Sequence, residues 1–304
     1  SARRPGRRWR LPRRLSAVTR ARLLTALSDF AETRVDFDRA ESASIESVAI
    51  CRALGSRFDL MRALQMRIGV VSRQAKFDQA RILGEEWLSI ARELGSRRYE
   101  AIALWWLGNA SMRLRDFERA AVLHDESVRL TPPEEIGTRI SAKFMQAQAR
   151  WWWQRDGAIA LVRYAEALGH YRETGFEFGS ATVLHSMGDV HLYLNELDIA
   201  RRCFSESLTL LHRQGARQRM VWALAGLAAV SAAERQTVRA LTLWAAADLL
   251  RALVNSLNVS MSHDAYVSLI NTARSALAPQ TLTAAIAAGQ AMSLDQIVAF
   301  ALAD

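Results

Sequence analysis

Alanine recurs every 40 residues through most of this chain, at Ala40, Ala80, Ala120, Ala160, Ala200 and Ala240. A fixed period of that length requires a stack of like units, each packed on its neighbours, instead of one central core. The alanines sit in related settings: Asp36-Phe37-Asp38-Arg39-Ala40, Lys76-Phe77-Asp78-Gln79-Ala80, Asp116-Phe117-Glu118-Arg119-Ala120 and, more loosely, Glu196-Leu197-Asp198-Ile199-Ala200. Each stretch reads as the start of a helix, in which a small residue lets a preceding helix approach closely. Fifteen residues further on stand Gly55, Gly95, Gly175, Gly215 and Asn255, residues suited to the left-handed turn that ends a helix. The third unit departs with Thr131-Pro132-Pro133, and proline stops a helix by lacking the amide hydrogen. Twelve residues before the alanines lie Ser28, Gly108, Gly188 and Ala228, where a first helix is crossed closely; Ile68 and Gln148 break the pattern.

The spacing predicts helix pairs over 21–34 with 37–54, 61–74 with 77–94, and 101–114 with 117–130. Three more follow at the same step: 141–154 with 157–174, 181–194 with 197–214, and 221–234 with 237–254. Leu24, Leu64, Leu104, Phe144, Leu184 and Leu224 form the recurring apolar position of the first helices. After residue 254 the period stops. Three shorter helices are expected over 262–278, 279–288 and 293–303, with Pro279 in a first turn, Gly289 as a stop, and a capping box from Ser293 to Gln296 stapled by Met292 and Ile297. The chain therefore divides into a basic segment over 1–20, six helix pairs over 21–254 and a C-terminal cap over 255–304. Only 15 Gly and 5 Pro among 304 residues, half of them apolar, fit an all-α fold.

The net charge of +9 is local. Arg3, Arg4, Arg7, Arg8, Arg10, Arg13, Arg14, Arg20 and Arg22 precede the first acid, Asp29, and the remainder of the chain is balanced. Such an arm suits phosphate backbones, but Trp9, Leu11 and Leu15 interleave the arginines at helical spacing, so a partly buried helix competes with nucleic-acid binding. Only Lys76 and Lys143 are lysine, and each is followed by Phe, so no Gly-Lys-Ser/Thr phosphate loop exists. No apolar run is long enough to span a bilayer, from which a soluble, cytoplasmic protein is expected. Cys51 and Cys203 lie four periods apart, too far for a disulfide between stacked units, and read as small buried hydrophobes. The six histidines offer no metal pair, no cofactor motif appears, and no nucleophile-base arrangement suggests an enzyme. His124 stands in register with Phe204 and Trp244 and reads as a core or boundary histidine.

In stacked helix pairs the first helices line the concave face. The period places Arg62, Gln65 and Arg73 on it in unit two, Trp105, Asn109 and Arg113 in unit three, Met145 and Trp152 in unit four, His185, Asp189 and Tyr193 in unit five, and Trp222 in unit six. Aromatic rings, guanidinium groups and amides anchor an extended peptide, a protein segment or a small planar ligand. Asn109 and Arg113, one turn apart, suit a peptide backbone and a carboxylate. The competing reading of Trp105, Trp152 and Trp222 is packing between repeats. Trp151-Trp152-Trp153 fans over most of a helical turn, so at least one of the three has to lie outside the core.

The pattern of small residue, alanine and aromatic at Gly188, Ala200 and Phe204 resembles tetratricopeptide repeats, lengthened from the common 34 residues. That resemblance implies a right-handed superhelical solenoid that binds instead of catalysing. Beyond the repeats, Trp222 to Ala229, Arg239 to Ala247, Tyr266, Arg274 and Ala288 to Val298 resemble the C-terminal part of bacterial STAND-class signalling ATPases, which include LuxR-type transcriptional regulators. Gly6 to Trp9 is similar to the end of a preceding repeat. The resemblance implies a regulatory sensor or assembly arm whose parent carries an ATPase module, often with a helix-turn-helix. A free-standing peptide-binding adaptor is the other reading.

Overall fold

A computed structural model describes residues 15–33, 36–254 and 260–303. The arginines up to Arg14, with Trp9 and Leu11, lie outside the described residues, as does Asn255. The chain divides into two compact units, Ser1–Ala149 and Arg150–Asp304. Among the described residues there are fifteen α-helices and no strand.

In the first unit α1 (Ala17–Thr33) pairs with α2 (Phe37–Leu54), α3 (Arg57–Arg73) with α4 (Phe77–Glu93), and α5 (Arg97–Arg113) with α6 (Phe117–Leu130). Helix α7 (Ile136–Gln154) runs across the boundary between the units. The second unit continues with α8 (Gly157–Glu173), α9 (Glu177–Tyr193) paired with α10 (Leu197–Arg213), and α11 (Arg217–Ala233) paired with α12 (Thr237–Leu253). It ends with α13 (His263–Ser275), α14 (Pro279–Gln290) and α15 (Leu294–Leu302). The architecture is the helix-pair repeat that the period requires.

The periodic alanines are 0–2% exposed, so each marks a place where two helices touch backbone to backbone. Every second unit adds a hydroxyl at the same crossing. Ser47, Ser127 and Ser207 each donate from Oγ to a carbonyl 26 residues earlier, on Ala21, Ala101 and Ala181, at 2.8–2.9 Å. A glycine is required where a ring enters the crossing. A Cβ on Gly108 would stand 2.6 Å from the His124 ring, and Cβ atoms on Gly188 and Gly226 would stand 2.6 and 2.7 Å from Phe204. Phe204 of α10 therefore reaches through a slot between α9 and α11.

Two features of the turns differ from the sequence expectation. The first helices α3, α5, α9 and α11 begin four residues earlier than the apolar pattern predicts. Gly55, Gly95, Gly175 and Gly215 adopt φ of +62 to +68°, which reverses the chain within one residue. The added first turns open on solvent-facing side chains such as Arg57, Arg97 and Arg217, and their apolar residues, Phe58, Leu60, Phe178 and Met220, do not recur at one position in every unit. The turns inside the pairs also use a left-handed residue, at Ala75, Arg115, Arg155, Asn195 and Arg235, with φ of +58 to +63°. These recur every 40 residues but escape notice because four of the five are residue types that rarely adopt this conformation. Asp36, Asp116 and Asp156 then cap the following helix by accepting from the amide three residues on.

At the C-terminal end the capping box between Ser293 and Gln296 is present in both directions, and Pro279 opens α14. Gly289 differs from its expected role as a stop, since α14 runs to Gln290. Its missing side chain serves packing instead: a Cβ there would meet the Thr242 carbonyl oxygen of α12 at 2.2 Å.

Candidate functional site

The first helices bring some of the sequence-selected residues together: Trp105, Asn109 and Arg113 in the first unit, and His185, Asp189 and Trp222, and separately Trp152 and Tyr193, in the second. In the first unit, α5 carries Trp105, Asn109 and Arg113 at successive turns, which puts them in one line along the helix. Trp105 and Trp106 pack edge to face, with centroids 5.2 Å apart. Beside them lies a cleft of about 320 Å³, bordered by Ile102, Trp105 and Trp106 of α5, Thr131 at the end of α6, and Thr138 and Ser141 of α7. Thr131, at its edge, precedes the Pro132-Pro133 link that stands where other units have a tight glycine turn.

Two polar atoms on this line are buried with no hydrogen-bond partner: the Trp105 indole Nε1, a donor, and the Asn109 Oδ1, an acceptor. Unpartnered buried polar atoms are expensive, on the order of 1–3 kcal/mol each, and their opposite sense matches the C=O and N–H of a peptide unit. Arg113 lies with its guanidinium 5.0 Å from the centre of the Phe77 ring. On α3, Arg62 and Arg73 are exposed and Gln65 is half-buried; on α7, Met145 is half-buried. None of these four lines the cleft, and of the three α5 residues only Trp105 does.

In the second unit, His185 and Asp189 of α9 lie one turn apart, with Nε2 and Oδ2 separated by 3.7 Å. His185 packs on Phe204 and on Trp222 of α11, and Arg219 stacks over Trp222 at 4.2 Å. The Asp189 carboxylate accepts from the Tyr266 hydroxyl of α13, and Ser262 also hydrogen-bonds to it. Burial pushes the Asp189 carboxyl above its usual range, against the opposing pull of His185 and these hydroxyls. Burial likewise holds His185 below its usual value, against the opposing pull of Asp189. Tyr266 thus covers Asp189, and Phe204 and Trp222 pack on His185, so both side chains that the sequence assigned to an open groove are only 10% exposed. Sequence reasoning did not single Tyr266 out as a site residue because the period ends before α13 and supplies no register there.

Trp152 and Tyr193 meet around Arg155, whose guanidinium lies 4.2 and 5.6 Å from their rings and 5.3 Å from Trp151. Trp151 and Trp152 are buried and Trp153 is 43% exposed, as three successive helical positions require. His124 is fully buried with neither ring nitrogen hydrogen-bonded, and burial drives its pKa down to about 3. Cys51 and Cys203 are free and buried, with the Cys203 thiol pushed up to about 11 by burial. No cluster of metal-ligating side chains occurs among the described residues. No single described helix is long and apolar enough to cross a membrane. Arg20 and Arg22, the described members of the N-terminal arginine set, are paired with Glu46 at 2.6 Å and Asp59 at 2.9 Å.

No protein-family model matches the chain, and no curated protein matches it. Solved structures do. A Rap protein crystallised with competence and sporulation factor superposes with a TM-score of 0.61 at 12% identity, over 88% of this chain and 85% of that one. BtubC (BKLC) from P. vanneervenii gives 0.54 at 18% identity, over 73% and 93% of the two chains. A Podosopora anserina putative kinesin light chain with nearly identical TPR-like repeats gives 0.51 at 14% identity, over 66% and 99%. At these identities the likeness is one of fold, and the fold of this chain is the tetratricopeptide-like helix-pair repeat.

Proposed function

We propose that this protein is a protein-interaction module that binds an extended peptide segment along the first-helix face of its first unit. The observation that carries the reading is the pair of buried, unpartnered groups on α5: the Trp105 N–H, on a residue that borders the aromatic cleft, and the Asn109 carbonyl oxygen one turn further along the helix. A peptide backbone satisfies both at once, and Trp105 and Trp106 supply apolar surface for its side chains. Arg113 extends the same line and attracts an acidic side chain or terminal carboxylate. The Rap neighbour, crystallised with a bound factor, has the same fold and supports a binding role.

The resemblance of the C-terminal tail to STAND-class ATPases and LuxR-type regulators supports a regulatory setting, in which the repeats sense a ligand and pass the signal to an attached module. Detection of a phosphate-binding loop encoded upstream of Ser1 tests that setting. Arg20 and Arg22 pair with carboxylates, so the nucleic-acid reading rests on the arginines up to Arg14, outside the described residues.

The binding role is tested by selecting 12-residue peptides from a displayed random library on the immobilised protein. The selected peptides are expected to lose at least tenfold in affinity for Asn109→Ala and for Trp105→Phe, each shown to be folded by circular dichroism. Unchanged affinity in both variants removes α5 from the site.

A further inference from the structure

Helix α13 packs on α11 and α12 of the second unit through one face. Only Tyr266, Ile270 and Ala273 of its thirteen residues are buried, whereas α11 buries eleven of seventeen. The three anchors stand at i, i+4 and i+7, the spacing with which an amphipathic helix lies in an apolar groove. Asp264, Ser268, Asn271 and Arg274 face outward.

The groove is built by the repeats themselves. Phe204 leaves α10, passes between Gly188 of α9 and Gly226 of α11, and meets the Tyr266 ring edge-on at 6.4 Å. Tyr266 therefore lies on the face of α9 and α11 turned away from α10, the face that a first-helix ligand would use. At its centre is the desolvated Asp189 carboxylate, 3.7 Å from His185 of α9 and hydrogen-bonded by the Tyr266 hydroxyl and by Ser262. The Tyr266 donor comes from 77 positions later in the chain.

We propose that the face of α9 and α11 opposite α10 is a helix-docking groove. Its resident occupant is α13, and its external partner is an amphipathic helix presenting a tyrosine with apolar residues four and seven positions on. Such a partner replaces Tyr266 at Asp189 and displaces α13. The proposal extends the binding role to the second unit but involves none of the α5 residues, so the two readings stand or fall separately.

The test uses the full chain and, as probe, a fluorophore-labelled synthetic peptide of residues 260–278, followed by fluorescence anisotropy. The wild-type chain, with its groove filled in cis, is expected to bind the peptide at least tenfold more weakly than Tyr266→Ala does. Adding Asp189→Ala to that variant is expected to reverse the gain, and a peptide with Tyr266→Ala is expected not to bind. Equal binding to wild type and Tyr266→Ala, or binding to neither, overturns the proposal. If Tyr266→Ala fails to fold, hydrogen exchange on the wild-type chain decides. Amides of α13 exchanging at least tenfold faster than those of α11 and α12 support a displaceable helix. Equal protection across the three makes α13 a fixed wall and overturns the proposal.

Discussion

His124 provides a quantitative test of how the repeat core is built. It fills the helix crossing that Phe204 fills in the second unit, fully buried, with Gly108 clearing space and with no partner for either ring nitrogen. Burial lowers its pKa from the ordinary 6.5 to about 3, so the folded chain binds that proton only in strong acid. The unfolded chain takes the proton first as pH falls. Stability from a neutral His124 is therefore complete above about pH 6.5 and is lost progressively down to about pH 3. At about pH 5 the unfolded state gains a factor of roughly 30 in protonation that the folded state does not share, equivalent to about 2 kcal/mol. His124→Phe keeps an aromatic of similar shape and removes the titration. Urea unfolding at pH 8 and pH 5 should show the wild type losing about 2 kcal/mol more than the variant on acidification. The contributions of His185 and His263, also held below their usual values, are common to both proteins and cancel. An identical pH dependence in wild type and His124→Phe would refute the assignment of His124 as a dry core residue.

Three further outcomes follow from the helix contacts. Gly188→Ala drives a methyl to 2.6 Å from the Phe204 ring, so its overpacking outweighs the gain in helix propensity; thermal unfolding should show a net loss of about 1–2 kcal/mol. Arg235→Gly relieves an exposed residue at φ +63° and should raise stability by about 0.5 kcal/mol, where most glycine substitutions lower it. Gly289→Ala meets the Thr242 backbone oxygen and should raise hydrogen exchange in α14 while leaving that of the first unit unchanged.

The helix pairs were legible because one contact, the alanine crossing, recurs in sequence whenever it recurs in space. The same ruler read His124 as a core or boundary residue, and the structure places it in the core. It failed where the chain leaves the period or where the signal is not a residue type. The left-handed turns at Ala75, Arg115, Arg155 and Arg235 are imposed by the helices on either side, not encoded by glycine. Gly289 has the composition of a helix stop, but its neighbour in space, Thr242, lies 47 positions earlier and outside the reach of local patterning. Tyr266 closes on Asp189 from a segment that has no register with the repeats, so the covering of Asp189 could not be read from spacing.

The central claim, that the first-helix face of the first unit receives an extended peptide, is tested most directly by hydrogen exchange on the protein saturated with a library-selected peptide. New protection concentrated on α5, around Trp105 and Asn109, is the predicted result. Protection confined to the second helices α4 and α6, with α5 unchanged, would contradict it.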